Sequence, residues 1–240
     1  MSSHTYTHRR PLGHGRVDAA AAPVKPRDAA TMIIWRSGSQ GVEVLMGRRS
    51  RRAAFVPDFF VFPGGRIDTS DHVIGAATPL NPAAVTRMAV RNNKSLAKAL
   101  AIAAVRETFE ETGLLLAASG DIGMVDGEGW QYWRARGLAP ELHRLVYFGR
   151  AITSRVSPIR FHARFFIISA DALQGDLAGS GELSDLAFYP VSDVLTHMPV
   201  VDVTEFMLRR IIDTPAPRLE STLKTPVFAY RGETAFVRYE

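Results

Sequence analysis

Arg106-Glu107-Thr108-Phe109-Glu110-Glu111-Thr112-Gly113-Leu114 places three carboxylates within five residues and then ends on a helix-stopping Gly-Leu pair. At about 100° per residue, Ile102, Val105, Phe109 and Leu116 form one helical stripe. Glu107, Glu110 and Glu111 gather within about a third of a turn on roughly the opposite side. Like charges at i, i+3 and i+4 destabilise a helix by about a few tenths of a kcal/mol per pair, a penalty that a bound cation removes. Closely spaced carboxylate oxygens suit a hard ion such as Mg²⁺ or Mn²⁺, which keeps waters and binds substrate phosphates as well. Arg106 stands one turn before Glu110 and is placed to hold a carboxylate.

Upstream, Phe62-Pro63-Gly64-Gly65-Arg66-Ile67-Asp68 follows an aromatic, strand-like run, Phe59-Phe60-Val61-Phe62. Adjacent glycines let the backbone come close to a metal or a phosphate, although a tight turn with no ligand would need them too. A solvated acidic helix face is the alternative reading of the glutamates. It leaves unexplained the Arg before the first Glu, the Gly-Leu stop and the Gly-Gly turn.

Together these two fragments resemble the catalytic box of the Nudix hydrolases. The resemblance implies an α/β fold, a Nudix-type α/β/α sandwich around a mixed β-sheet. It also implies a pyrophosphohydrolase that depends on Mg²⁺ or Mn²⁺. In that reading the metal is held by Glu107, Glu110, Glu111 and the carbonyl of Gly64, with Arg106 as a supporting catalytic residue. The acid that takes the proton from water is Glu110 or Glu182, and Glu182 also reads as an exposed acid in a Gly-Ser-Gly turn. The box is interrupted. In its unbroken form an acid follows the Gly by six residues and the Arg follows that acid by eight, which from Gly65 gives Asp71 and position 79. The Arg stands at 106, an insertion of 27 (106 − 79). Counting back from Arg106 gives Lys98 instead of Asp71, so the identity of that acid stays open. Residues from about His72 to Asn93 are expected to cover the catalytic helix and shape the substrate pocket.

An interrupted box is similar to the peroxisomal coenzyme A diphosphatases and their bacterial relatives. Leu45-Met46-Gly47-Arg48-Arg49-Ser50 resembles the lead-in of coenzyme A hydrolysing members, with Ala54 and Asp58 standing where that motif has Arg and Gly. Arg160 to Phe166 and Gly181 to Pro190 look like further strands of the same branch. The implied substrate is coenzyme A or an acyl-coenzyme A. The alternatives are ADP-ribose, NADH, a dinucleoside polyphosphate, or a non-catalytic ligand-binding module. Arg48, Arg49 and Arg51, with Gly65, are the substrate-binding candidates, and a solvated basic turn is the competing reading of the arginines.

Composition agrees with one decorated domain: 240 residues, 46% of them hydrophobic, suffice for a sizeable core. There is no cysteine, so disulfides, thiolate metal sites and a cysteine nucleophile are excluded, and a cytoplasmic location is expected. No apolar run reaches a membrane-spanning length. A net charge of +5 favours anionic ligands. A small-molecule diphosphate fits better than nucleic acid, since no nucleic-acid-reading motif accompanies the charge, and a homodimer is possible.

Residues 1–30 read as a flexible tail, with His4, His8 and His14 dispersed in it, and 31–240 as one domain. Met32 to Trp35 and Val42 to Gly47 read as a hairpin. Within the insertion (about 72–94), Asn81-Pro82 opens a helix to about Arg91, and Ser95 caps the catalytic helix. Trp130 to Arg136 and Val201 to Asp213 read as helices, Leu145 to Ile152 and Arg160 to Ser169 as strands, and 226–239 as a terminal hairpin. The tryptophans and Phe165-Phe166 read as core.

Overall fold

The computed structural model describes residues 24–88, 90, 93–124, 127–214, 224–231 and 234–240. Most of the expected tail, 1–23 with its three histidines, lies outside them. The boundary moves at its inner end, because the first strand, β1 (Arg27–Gly38), begins before residue 31 and Ala29 and Ala30 are already buried.

β1 turns at Ser39-Gln40 into β2 (Gly41–Arg49), paired antiparallel through Trp35–Val44. The expected third strand is shorter, β3 (Phe60–Val61), and the Gly-Gly turn is itself a short strand, β4 (Gly64–Arg66), paired with Ala29 to Thr31 of β1. After a 3-10 turn at Ser70–His72 come α1 (Pro82–Arg87) and α2 (Lys94–Thr112). A small two-stranded sheet, β5 (Ala117–Ser119) with β6 (Leu138–Pro140), brackets α3 (Glu128–Ala135). Next are β7 (Val146–Ile152), β8 (Phe161–Ser169), β9 (Leu183–Pro190), α4 (Val191–His197) and α5 (Asp202–Ile212). The hairpin β10 (Pro226–Arg231) and β11 (Thr234–Tyr239) follows. The main sheet runs β11-β10-β7-β8-β1-β2-β3, with β9 on β2. It is mixed: β1 lies parallel to β8 and β10 parallel to β7, while the other pairs are antiparallel.

Alternation along the strands divides the core. Met32 and Ile34 of β1 and Leu45 of β2 pack on the face that carries α2, whereas Ile33, Val44 and Met46 pack under α4 and α5. Helices therefore cover both faces, the α/β/α sandwich expected. The terminal hairpin extends the sheet at β7, and Glu240 closes it by accepting two hydrogen bonds from Arg150 Nη2 at 2.8 and 3.0 Å. Among the described residues no helix is long and apolar enough to cross a membrane.

Two local readings change. The cap of α2 is Asn93, whose Oδ1 accepts the Leu96 N–H at 3.0 Å; Ser95 lies inside the first turn. Asn81 does cap α1, but that helix ends at Arg87 instead of about Arg91. The amphipathic stripe is also too narrow a picture of α2. Ala97 and every residue from Ala99 to Val105 are fully buried. Small alanines let neighbouring elements approach closely, and polar side chains are confined to the first turns, with Lys94, Ser95 and Lys98, and to the last two. Leu116 lies beyond the helix, which stops at Gly113 with φ 76°.

Candidate active site

Arg106 organises the polar end of α2. The side chain is buried, and its Nε and Nη2 donate to Asp71 Oδ1 and Oδ2 at 2.9 and 3.1 Å. Its Nη1 donates to Glu107 Oε1 at 3.0 Å and Glu110 Oε2 at 2.9 Å, and its Nη2 reaches the Arg66 carbonyl at 2.9 Å. Burial alone would lower the guanidinium pKa; the hydrogen bond to Asp71 and the charges of Glu107, Asp71 and Glu110 overcome it and raise the pKa. Asp71, fully buried, also accepts the Asp68 N–H at 2.7 Å. The forward count from Gly65 therefore names the acid that meets Arg106. Lys98, the backward count, lies elsewhere, on the wall of a different cavity.

The Gly-Gly segment lies against two of the three glutamates. The Gly64 N–H donates to Glu111 Oε2 at 2.9 Å. A Cβ on Gly65 would overlap the Glu107 carboxylate, and one on Gly64, at φ 152°, would sit 2.5 Å from the Ala30 carbonyl. Gly64 is thus required by its backbone, whereas a side chain at 65 would displace the Glu107 carboxylate. Burial is the main cause that pushes Glu111 up to about 8, with Glu107 and Glu182 adding repulsion against the Gly64 N–H and Arg49. Burial likewise pushes Glu107 up to about 7; Arg106 opposes it, and Glu110 and Glu182 add to it.

Glu107, Glu111 and Glu182 line one cavity of about 380 Å³, together with Gly64, Gly65, Arg49 and Arg66. Its remaining wall is apolar and aromatic, including Phe55, Phe62, Phe161 and Phe165. The Phe55 and Phe161 rings meet edge to face at 4.9 Å. Phe165 is therefore both core and wall.

Three expected site residues are placed differently. Glu110 is not on the cavity wall: its Oε2 is held by Arg106, and its Oε1 lies 2.5 Å from where a Cβ on Gly129 of α3 would stand. Burial raises its pKa, and Arg106 opposes that shift. Arg48 and Arg51 turn to Asp58 instead, at 2.8 and 3.5 Å. Only Arg49 of the arginine run faces the carboxylates. The insertion is not a cover for this cavity either. Ile74, Leu80, Ala84, Met88 and Val90 pack in the core beside α2, and none of the described residues of 72–94 lines the cavity. Arg66 and the aromatic pair escaped the sequence reading. The position of Arg66 directly after Gly65 was the available signal for it, whereas Phe55 and Phe161 meet only through the fold.

Among the described residues no three Asp, Glu or His side chains are grouped closely enough to hold a metal ion as they stand. The donor chemistry nevertheless fits a hard divalent ion. Glu107 and Glu111 are desolvated, repel each other, and share the cavity with a third carboxylate, Glu182, in an all-oxygen set. A cation there would offset both the burial that chiefly raises the two pKa values and the repulsion that adds to it.

No family model matches the chain. A curated acyl-coenzyme A diphosphatase of Gallus gallus, NUDT19, is 33% identical over 99 residues, covering 32% of this chain and 26% of that protein. The chain thus matches about a quarter of that relative's length. A solved Nudix hydrolase of Alicyclobacillus acidocaldarius is similar over 84% of this chain and 98% of its own, at 30% identity and a TM-score of 0.66. On that likeness in sequence and structure over most of both chains, the chain belongs to the Nudix hydrolases, pyrophosphohydrolases that act on phosphoanhydride bonds.

Proposed function

We propose that the protein is a divalent-metal-dependent diphosphatase whose substrate is coenzyme A or an acyl-coenzyme A. The observation that carries this reading is the cavity's mixed lining, in which carboxylates and arginines share the wall with apolar and aromatic side chains. Coenzyme A has the matching mixture, a diphosphate beside an adenosine 3′-phosphate and a long pantetheine arm. The partial likeness to an acyl-coenzyme A diphosphatase supports the same substrate class.

In this reading Glu107, Glu111 and Glu182, with the Gly64 carbonyl as a further candidate, hold Mg²⁺ or Mn²⁺. Such an ion supplies a lowered water pKa and neutralises charge that develops on phosphate oxygens. The chain's own residues do the positioning. Arg106 keeps Glu107 from swinging away, and the Gly64 N–H fixes Glu111. Arg49 and Arg66 supply positive charge to the substrate's phosphates, since both line the cavity. Glu182 takes the proton from the attacking water, because it faces the cavity and Glu110 does not. Phe55, Phe161 and Phe165 exclude water and seat the pantetheine arm.

The test is hydrolysis of coenzyme A, an acyl-coenzyme A, ADP-ribose and NADH by the purified chain with Mg²⁺, Mn²⁺ or EDTA, with products identified by mass. The expected outcome is metal-dependent formation of adenosine 3′,5′-bisphosphate and a 4′-phosphopantetheine product. Cleavage of ADP-ribose or NADH with coenzyme A left intact would reject the substrate assignment while retaining the enzyme class. Equal turnover in EDTA would reject the metal.

A further inference from the structure

A second cavity, of about 660 Å³, opens where the insertion meets the first turns of α2. Its walls are Leu80, Val85, Leu142 and two prolines, and its cations are Lys94 and Lys98, one helical turn apart. Among the described residues no acid and no aromatic side chain lines it. Glu141, the nearest acid in sequence, is engaged with Arg144 at 3.0 Å. Among the described residues neither lysine forms an ion pair or a side-chain hydrogen bond. Like charges at i, i+4 repel, and an anion bound between the two would offset that repulsion. None of these residues lines the carboxylate cavity, and Lys98 lies nine residues from Glu107, about 13 Å along the helix axis.

We propose that this cavity is a second binding site, for a small amphipathic anion. A carboxylate or phosphate would sit on Lys94 and Lys98, and an aliphatic chain would lie against Leu80, Val85 and Leu142. The walls decide the ligand class. A bare inorganic anion would leave the apolar wall uncovered. A nucleotide base would find no aromatic face to stack on. An uncharged lipid would leave the lysines unneutralised. Thr78 is already engaged by the His143 N–H at 3.1 Å, and Thr86 donates to the Pro82 carbonyl at 3.1 Å. The lysines are therefore the groups left to hold the charged end. The inference does not depend on the substrate of the catalytic cavity.

Decanoate, below its micelle-forming concentration, is the probe, titrated calorimetrically into the full chain. Decyl phosphate tests the alternative head group, and decanol and decyltrimethylammonium serve as controls. Lys98 acylation by acetic anhydride, read by peptide mass, locates the site. The expected result is binding of both anions, weak or no binding of the controls, and several-fold slower acylation of Lys98 when decanoate is present. The double variant Lys94→Gln, Lys98→Gln should bind decanoate at least about tenfold more weakly, with its melting temperature and diphosphatase turnover unchanged. The corresponding double Lys→Arg variant should retain binding. Decanoate binding that survives the glutamine substitutions and leaves Lys98 unprotected would place the ligand in the catalytic cavity and overturn the proposal. Absence of binding to the wild-type chain would overturn it as well.

Discussion

Arg106 and Asp71, 35 residues apart in sequence, form a buried two-point ion pair, with Nε on Oδ1 at 2.9 Å and Nη2 on Oδ2 at 3.1 Å. The pair spans the insertion. Because Asp71 stands at its start and Arg106 beyond its end, the helix keeps its register to the Gly-Gly strand whatever length of chain intervenes. The same guanidinium then has Nη1 left for Glu107 and Glu110.

Removing Asp71 should be costly twice over. Asp71→Ala leaves a buried guanidinium without its main partner, a change worth about 3–5 kcal/mol. At roughly 2–4 °C per kcal/mol for a chain of this size, calorimetry should record a fall in Tm of about 6–20 °C. Turnover measured well below the new Tm should still fall, since Arg106 no longer holds Glu107 in place. A variant with wild-type Tm would show that the pair contributes nothing net.

Glu107→Gln and Glu111→Gln should behave in the opposite way. Each removes a desolvated charge from a repelling group, so the fold is kept or slightly firmer. Turnover should drop by about two to four orders of magnitude, the scale seen when preorganised charge-stabilising groups are lost. Glu110→Gln should cost less, because that side chain faces Arg106 and α3. Circular dichroism and kcat on the three purified variants check the ranking.

Stability should fall as pH rises in the absence of metal. Glu107 and Glu111 have folded pKa values of about 7 and 8, above the ordinary 4.5. Between about 4.5 and 8 the folded state therefore binds more protons than the unfolded state, and the stability contribution of these groups declines with pH through that window. In EDTA, Tm should be lower at pH 8.5 than at pH 5.5, and the double variant Glu107→Gln, Glu111→Gln should flatten this difference. Mg²⁺ or Mn²⁺ should raise Tm more at pH 8.5 than at 5.5, because protons compete with the ion.

Gly65→Ala is a test of close approach. The added methyl would overlap the Glu107 carboxylate, so Glu107 must turn aside. A loss of turnover by at least about tenfold, with the fold retained, is expected from a misplacement of about 1 Å. Gly64→Ala, at φ 152° and against the Ala30 carbonyl, should lose stability as well, which separates the two glycines by thermal melting.

The legible parts of this protein were those encoded within one helix or one turn. The glutamate run, the Gly113 stop, the apolar Met32 to Trp35 strand and the terminal hairpin all follow from local sequence, and all are present. What sequence could not give was which way a side chain turns when two partners compete. Glu110 satisfies the helical spacing for the metal face, yet Arg106 lies one turn away and takes its Oε2. Arg48 and Arg51 lie beside Arg49, yet Asp58, in a loop with φ 66°, draws both to itself. The insertion reads as a lid because it interrupts the box, but its apolar residues Ile74, Leu80 and Met88 are buried alongside α2, away from the carboxylates.

That division of the arginines gives the last prediction. Arg49 lines the carboxylate cavity and its Nε is buried without a hydrogen-bond partner, whereas Arg48 and Arg51 are ion-paired with Asp58. A charge-assisted contact contributes roughly 1.5–3 kcal/mol, so Arg49→Ala should lower kcat/KM for coenzyme A by about ten- to hundredfold, mostly through KM. Arg48→Ala and Arg51→Ala should each stay within about threefold. Comparing coenzyme A with dephospho-coenzyme A then locates the contact. If Arg49 holds the 3′-phosphate, its removal is costly for coenzyme A and nearly neutral for the dephospho compound. An equal loss on both substrates places Arg49 on the diphosphate. A loss from Arg48 or Arg51 as large as that from Arg49 would mean that the Asp58 pairs open in the substrate complex, and the assignment to Arg49 alone would fall.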